Sequence, residues 1–141
     1  MLNKVLVVVK GVIEYKGRVL ILQRSSKDEV GADRWETVGG KINFGEQLEE
    51  ALVREVLEEA GIVVSVEKLL YATTFFTDPH RQIVLLSYLC RAADDSVSLS
   101  EEHRDYKWVE GFELDSYLPE SIMNDLNRHN VQSLLKESPS V

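Results

Sequence analysis

The chain has 141 residues, 44% of them hydrophobic, and a formal net charge of −8. That length and apolar content fit one domain, 1–141, with a core that needs no disulfide staples. A surface of this sign repels nucleic acid rather than steering it in, and still allows a small phosphate-bearing substrate, because a bound divalent cation reverses the local sign of an acidic site.

The one cysteine, Cys90, lies in an alternating apolar run. It has no partner for a disulfide or a cysteine-based metal site, which points to a reducing cytoplasm. The opening stretch MLNKVLVVVKGVIEY meets Lys10 and Glu14 too soon for a signal peptide or a spanning helix, so no membrane partner is expected. A homodimer is compatible with these features.

Residues 5 to 14 and 17 to 24 are rich in aliphatic and β-branched side chains and read as a hairpin turning at Tyr15-Lys16-Gly17. Ser25 to Asp33 is polar, contains Gly31 and reads as a loop. Arg24, Arg34 and Trp35 are candidate substrate-binding residues: a guanidinium forks onto phosphate, and an indole stacks on a base or fills a core. Gly39-Gly40 reads as a turn whose backbone comes close to a ligand. Asn43 and Glu46 have capping-box spacing, and Gly61 is placed to end the helix that follows.

On that helix Glu55, Glu58 and Glu59 share one arc, and Val53, Val56, Leu57 and Ala60 fill an arc roughly opposite. Like charges at these spacings repel, and the crowding points to an absent hard cation such as Mg²⁺. Arg54 stands four residues from both Glu50 and Glu58, in reach of either.

Ile62 to Val66, Leu69 to Phe76 and Ile83 to Cys90 read as strands, with Thr77-Asp78-Pro79-His80 as a turn that carries His80 and Arg81 as surface. Asp94 to Ser100 is a loop, Glu101-Glu102-His103 follows, and Tyr106 to Val109 is a short aromatic strand. Leu118 to Leu135 reads as a closing helix with Leu118, Ile122, Leu126, Val131 and Leu134 along its apolar stripe. The order of elements gives an α+β fold.

Gly40, five residues, Glu46, seven residues, then Arg54-Glu55-Val56-Leu57-Glu58-Glu59-Ala60-Gly61-Ile62 fill all nine defined positions of a 23-residue pattern. This resembles the Nudix box, G-x5-E-x7-R-E-U-x-E-E-x-G-U with U aliphatic. The resemblance implies a Nudix fold, with a mixed β-sheet sandwiched between helices. It implies Mg²⁺ or Mn²⁺ held by Glu55, Glu58, Glu59 and the Gly39 carbonyl, with Arg54 orienting the glutamates. An acid shortly before the Trp108-Val109 strand supplies a further ligand or the general base, Glu102 ahead of Glu101. The base itself is left between Glu55 and Glu102. Val38 stands where many relatives have proline, and Asn43 where many have an acid.

The implied reaction is attack of water on phosphorus. Trp35-Glu36 ahead of the glycines resembles small nucleoside triphosphate pyrophosphohydrolases, including those acting on oxidised purine nucleotides. ADP-ribose and dinucleoside polyphosphates are alternative substrates, and a nucleotide-binding sensor without turnover is an alternative of another kind.

Overall fold

The computed structural model describes residues 2–28 and 31–136, so Glu29 and Val30 of the expected loop lie outside the described residues. Strand β1 (Lys4–Tyr15) runs into β2 (Arg18–Arg24) through Lys16 and Gly17, whose φ values of 49° and 80° are those of a mirror-image two-residue turn. Two short strands follow, β3 (Trp35–Glu36) and β4 (Val38–Lys41), then helix α1 (Leu48–Ala60). Strands β5 (Val64–Asp78), β6 (Arg81–Ala92) and β7 (His103–Glu110) come next. A 3-10 turn over Gly111–Ser116 leads into α2 (Glu120–Arg128) and α3 (Val131–Lys136).

Among the described residues seven strands form one mixed sheet, ordered β3-β2-β1-β6-β5, with β4 beside β1 and β7 beside β2. The β1–β6 pairing is parallel over its length, while the other pairings are antiparallel. Side-chain alternation then builds a core on each face. Val9, Ile13, Leu20 and Leu22 point to one side, where they meet Leu52, Val56 and Ala60 of α1. Val12, Val19 and Ile21 point to the other, where Leu114, Leu118, Met123, Leu126, Val131 and Leu135 cover them. Leu52 and Val56 are fully buried, each stabilising the fold by about 1.5–3 kcal/mol. The sheet therefore lies between helices, as the α+β reading expected.

Four local expectations change. Gly39-Gly40 is part of strand β4, paired with Lys10 and Val9, instead of a free turn. The capping box sits one turn later than Asn43: the Gln47 N–H donates to Glu50 Oε1 at 3.1 Å and α1 starts at Leu48. Asn43 and Glu46 do pair, the Asn43 N–H donating to Glu46 Oε1 at 2.7 Å, but in the turn before the helix. The two strands expected over 62–66 and 69–76 are one strand, β5, whose register with β6 slips near Val66 and Leu69. Finally, the closing helix is broken: Asn130 adopts φ 56°, and the break shifts the apolar phase so that Leu135, in place of Leu134, is buried.

Candidate active site

Strand β4 is pressed against β1 so closely that a Cβ on Gly39 would fall 2.0 Å from the Val9 carbonyl oxygen, and the residue's φ of 153° adds a second reason for glycine. A Cβ on Gly40 would meet the Glu55 carboxylate at 2.5 Å. The glycine pair thus lets α1 lie against β4 and brings its acids onto the strand. The Gly39 N–H donates to Glu59 Oε1 at 3.2 Å, turning that glutamate inward.

The buried face of the helix also departs from its apolar pattern. Glu59 is only 7% exposed, whereas Leu57, expected in the core, is 51% exposed. Glu58 points outward, its side chain 60% exposed. Glu58 therefore stands apart, while Glu55 still pushes the Glu59 carboxyl up. Arg54 ties the outward acids together: its guanidinium forks onto Glu46 at 2.7 and 2.9 Å and reaches Glu55 at 3.0 Å, Glu58 at 3.3 Å and the Lys41 carbonyl at 3.1 Å. Hydrogen bonds from Arg54 and from the Asn43 N–H outweigh slight burial and hold the Glu46 carboxyl at about 2.

The segment before β7 delivers the fourth acid. Its Ser98 and Ser100 N–H groups donate to the Ala60 and Glu59 carbonyls, satisfying acceptors that the helix end leaves open. Glu102 is thereby placed against Glu59, and the two carboxyls share a hydrogen bond. Burial is the largest influence on Glu59 and lifts its carboxyl to about 8. Lys10 pulls the value down, and Glu102, Glu36 and Glu55 push it up. At neutral pH, without a cation, Glu59 holds a proton.

Behind this pair lies a charged layer that the sequence reading missed. Glu36 on β3 accepts from Arg24 Nη1 at 3.1 Å through both oxygens, lies 3.5 Å from Lys10 Nζ, and contacts His103 Nε2 at 2.7 Å. Burial pushes its carboxyl up, but Lys10, His103 and Arg24 outweigh it and keep it at about 2. The one available signal for Lys10 was a lone charge inside the apolar run VLVVVKGVI. Glu36 and His103 left no local mark, because their meeting depends on β3 and β7 flanking β2.

Gly39, Glu55, Glu59, Glu102, Arg24, Arg34 and Trp35 line one cleft of about 1630 Å³. Arg54 and Glu58 are not among its lining residues: Arg54 touches the cleft's Glu55, and Glu58 pairs with Arg54 on the helix surface. Arg24 is engaged by Asp28 and Glu36, while the Arg34 guanidinium has no hydrogen bond or ion pair among the described residues. Trp35 is half-buried, edge-on to Tyr117 at 5.6 Å, with its remaining surface on the cleft. Arg81, read as turn surface, also lines the cleft beside Phe75 and Asp78.

Comparison with known proteins fits this arrangement. The NUDIX domain family model matches residues 3–126. The nucleoside triphosphatase NudI of Klebsiella pneumoniae is 32% identical over 120 residues, covering 74% of this chain and 81% of that protein. NudI of Escherichia coli is 29% identical over 115 residues, covering 74% and 82%. Among solved structures, the MutT protein from Methanosarcina mazei Go1 superposes with a TM-score of 0.81 at 27% identity, covering 94% of this chain and 98% of the other. The Escherichia coli ORF135 protein gives a TM-score of 0.75 at 26% identity, covering 97% and 96%. The chain belongs to the Nudix family, has the Nudix fold, and is a hydrolase of pyrophosphate bonds.

Proposed function

We propose that the protein hydrolyses a nucleoside triphosphate to the monophosphate and pyrophosphate with Mg²⁺ or Mn²⁺, and that oxidised purine nucleotides fall within its range. The carrying observation is the joining, in one cleft, of the Glu55, Glu59 and Glu102 carboxyls with a cationic wall from Arg24, Arg34, Lys27 and Arg81. The NudI relatives, described as nucleoside triphosphatases, support the choice of substrate class.

The residues present fit a hard divalent ion: oxygen donors converge, and burial raises the Glu59 carboxyl so that it holds a proton a cation would displace. Glu55, Glu58, Glu59, Glu102 and the Gly39 carbonyl are the groups that would hold it. Such an ion neutralises phosphate charge and makes a bound water more acidic. The chain's own residues do the rest. Arg54 fixes the rotamers of Glu46, Glu55 and Glu58, Arg34 supplies an uncommitted fork for phosphate, and Trp35 offers an aromatic surface to the base. In this reading Glu55 or Glu102, both of which line the cleft, takes the proton from the attacking water.

The test is a nucleotide panel assayed with Mg²⁺ in ¹⁸O-labelled water. A triphosphate yielding monophosphate and pyrophosphate, one of them labelled, supports the reading. Faster cleavage of ADP-ribose or a dinucleoside polyphosphate reassigns the substrate, and tight nucleotide binding without turnover reassigns the protein to the sensors.

A further inference from the structure

One buried atom is left over by the charged layer. His103 is almost fully enclosed, its side chain 1% exposed, and its Nε2 lies 2.7 Å from Glu36 Oε2. Glu36 is flanked by Arg24 and Lys10, so it is a carboxylate that accepts and has no proton to give. Nε2 therefore carries the hydrogen, and in the neutral ring Nδ1 keeps the lone pair. Nδ1 is buried and has no hydrogen-bond partner among the described residues.

An orphaned buried nitrogen is costly in either state, since an N–H at Nδ1 lacks an acceptor as the lone pair lacks a donor. Its neighbours say what is missing. Glu59, Glu102 and one ring nitrogen of His103 offer ligand atoms that lie within 4.8 Å of one another, and Nδ1 is the nitrogen that Glu36 leaves available. The hydrogen bond between the two carboxyls leaves the Nδ1 lone pair without a donor, whereas one cation serves all three groups. A carboxylate holding the far ring nitrogen is also the usual means by which proteins fix the tautomer and orientation of a metal-binding histidine.

We propose that His103 Nδ1 is a metal ligand, forming with Glu59 and Glu102 a mixed nitrogen–oxygen position that favours a divalent transition ion over Mg²⁺. The inference rests on the reading of the cleft as metal-dependent. It extends that reading from hard oxygen donors alone to a set in which imidazole contributes. Mg²⁺ gains little from nitrogen and keeps its waters, while affinity for such a site rises from Mn²⁺ to Co²⁺ and beyond. Glu36 acts as a positioning residue, touching the histidine and not the ion.

The experiment uses the full chain loaded with Mn²⁺ and examined by pulsed electron paramagnetic resonance for coupling to ¹⁴N. Wild type is expected to show an imidazole coupling, and replacing its histidines with ¹⁵N-histidine is expected to convert the signal. A double variant, His80→Gln with His129→Gln, alters the two exposed histidines and is expected to keep the coupling. His103→Gln is expected to abolish it and to reduce the Co²⁺ to Mg²⁺ affinity ratio by at least about tenfold. If His103→Gln does not fold, the labelled wild type and the double variant still decide. Bound Mn²⁺ without nitrogen coupling, or a coupling lost in the double variant, overturns the inference and leaves the metal-dependent hydrolase intact. No bound Mn²⁺ at all overturns both.

Discussion

Two groups of glutamates flank α1, and they differ in what completes them. Glu46, Glu55 and Glu58 are satisfied by Arg54, a cation the chain itself supplies, and Glu55 also lines the cleft. On the inner side the buried Glu59 faces the exposed Glu102, and Lys10, which pulls the Glu59 carboxyl down, also attends Glu36. The same residue type on one helix is thus paired with an arginine in one place and buried with a raised carboxyl in the other. Burial, more than like-charge repulsion, is what makes the inner group ready to exchange a proton for a metal.

The largest effect that tests this contrast is on turnover. Glu59→Gln and Glu58→Gln are each expected to lower kcat by at least about a hundredfold, read by steady-state kinetics with saturating Mg²⁺. Equal losses place both carboxylates in the reaction. A loss at Glu59 alone confines the ion to the inner group.

Arg54→Ala should lower kcat by about tenfold or more, because Glu55 and Glu58 lose the group that fixes them. Arg54→Lys should recover little, since one ammonium does not reproduce a fork that engages Glu46, Glu55 and the Lys41 carbonyl together. Full recovery by lysine would reduce the role of Arg54 to charge alone.

Trp35→Ala is expected to act in both ways the residue's position allows. KM for a triphosphate should rise about threefold or more through the lost aromatic surface, and stability should fall by ~2 kcal/mol through the lost contact with Tyr117. A stability loss with unchanged KM makes the ring core only.

The smallest signal, and the one that separates the two groups most cleanly, is in melting temperature. The Glu59 carboxyl is raised from 4.5 to about 8, so its contribution to stability is fully present below 4.5 and is lost as pH rises through about 8. Metal-free protein should therefore melt lower at pH 8 than at pH 5, by about 5 °C. Glu59→Gln should remove most of that difference, and Glu58→Gln should not. Mg²⁺ should raise the melting temperature more at pH 8 than at pH 5, where protons compete for the same oxygens.

How far these features were legible follows from how local they are. The box acids and Arg54 lie on one helix at fixed spacing, so their identity could be read without a fold. Their directions could not. The helical pattern placed Leu57 inside and Glu59 outside, and the reverse holds because the Gly39 N–H on a separate strand captures Glu59. Strands β3 and β4 span two and four residues and carry no periodicity long enough to register. Lys10, Glu36 and His103 come from β1, β3 and β7, and only the sheet order brings them together. The break at Asn130 turns on one positive φ, which an expected continuous stripe conceals.

The central claim is that a divalent ion takes the place of the proton held by Glu59, and proton release on metal binding measures it directly. Metal-free protein at pH 7 is titrated with Mn²⁺ in a calorimeter, using buffers of different ionisation enthalpy to count the protons expelled. With the Glu59 carboxyl at about 8, wild type should release about one proton per site, and Glu59→Gln should release close to none. Metal binding to wild type with no proton release at pH 7 would contradict the account.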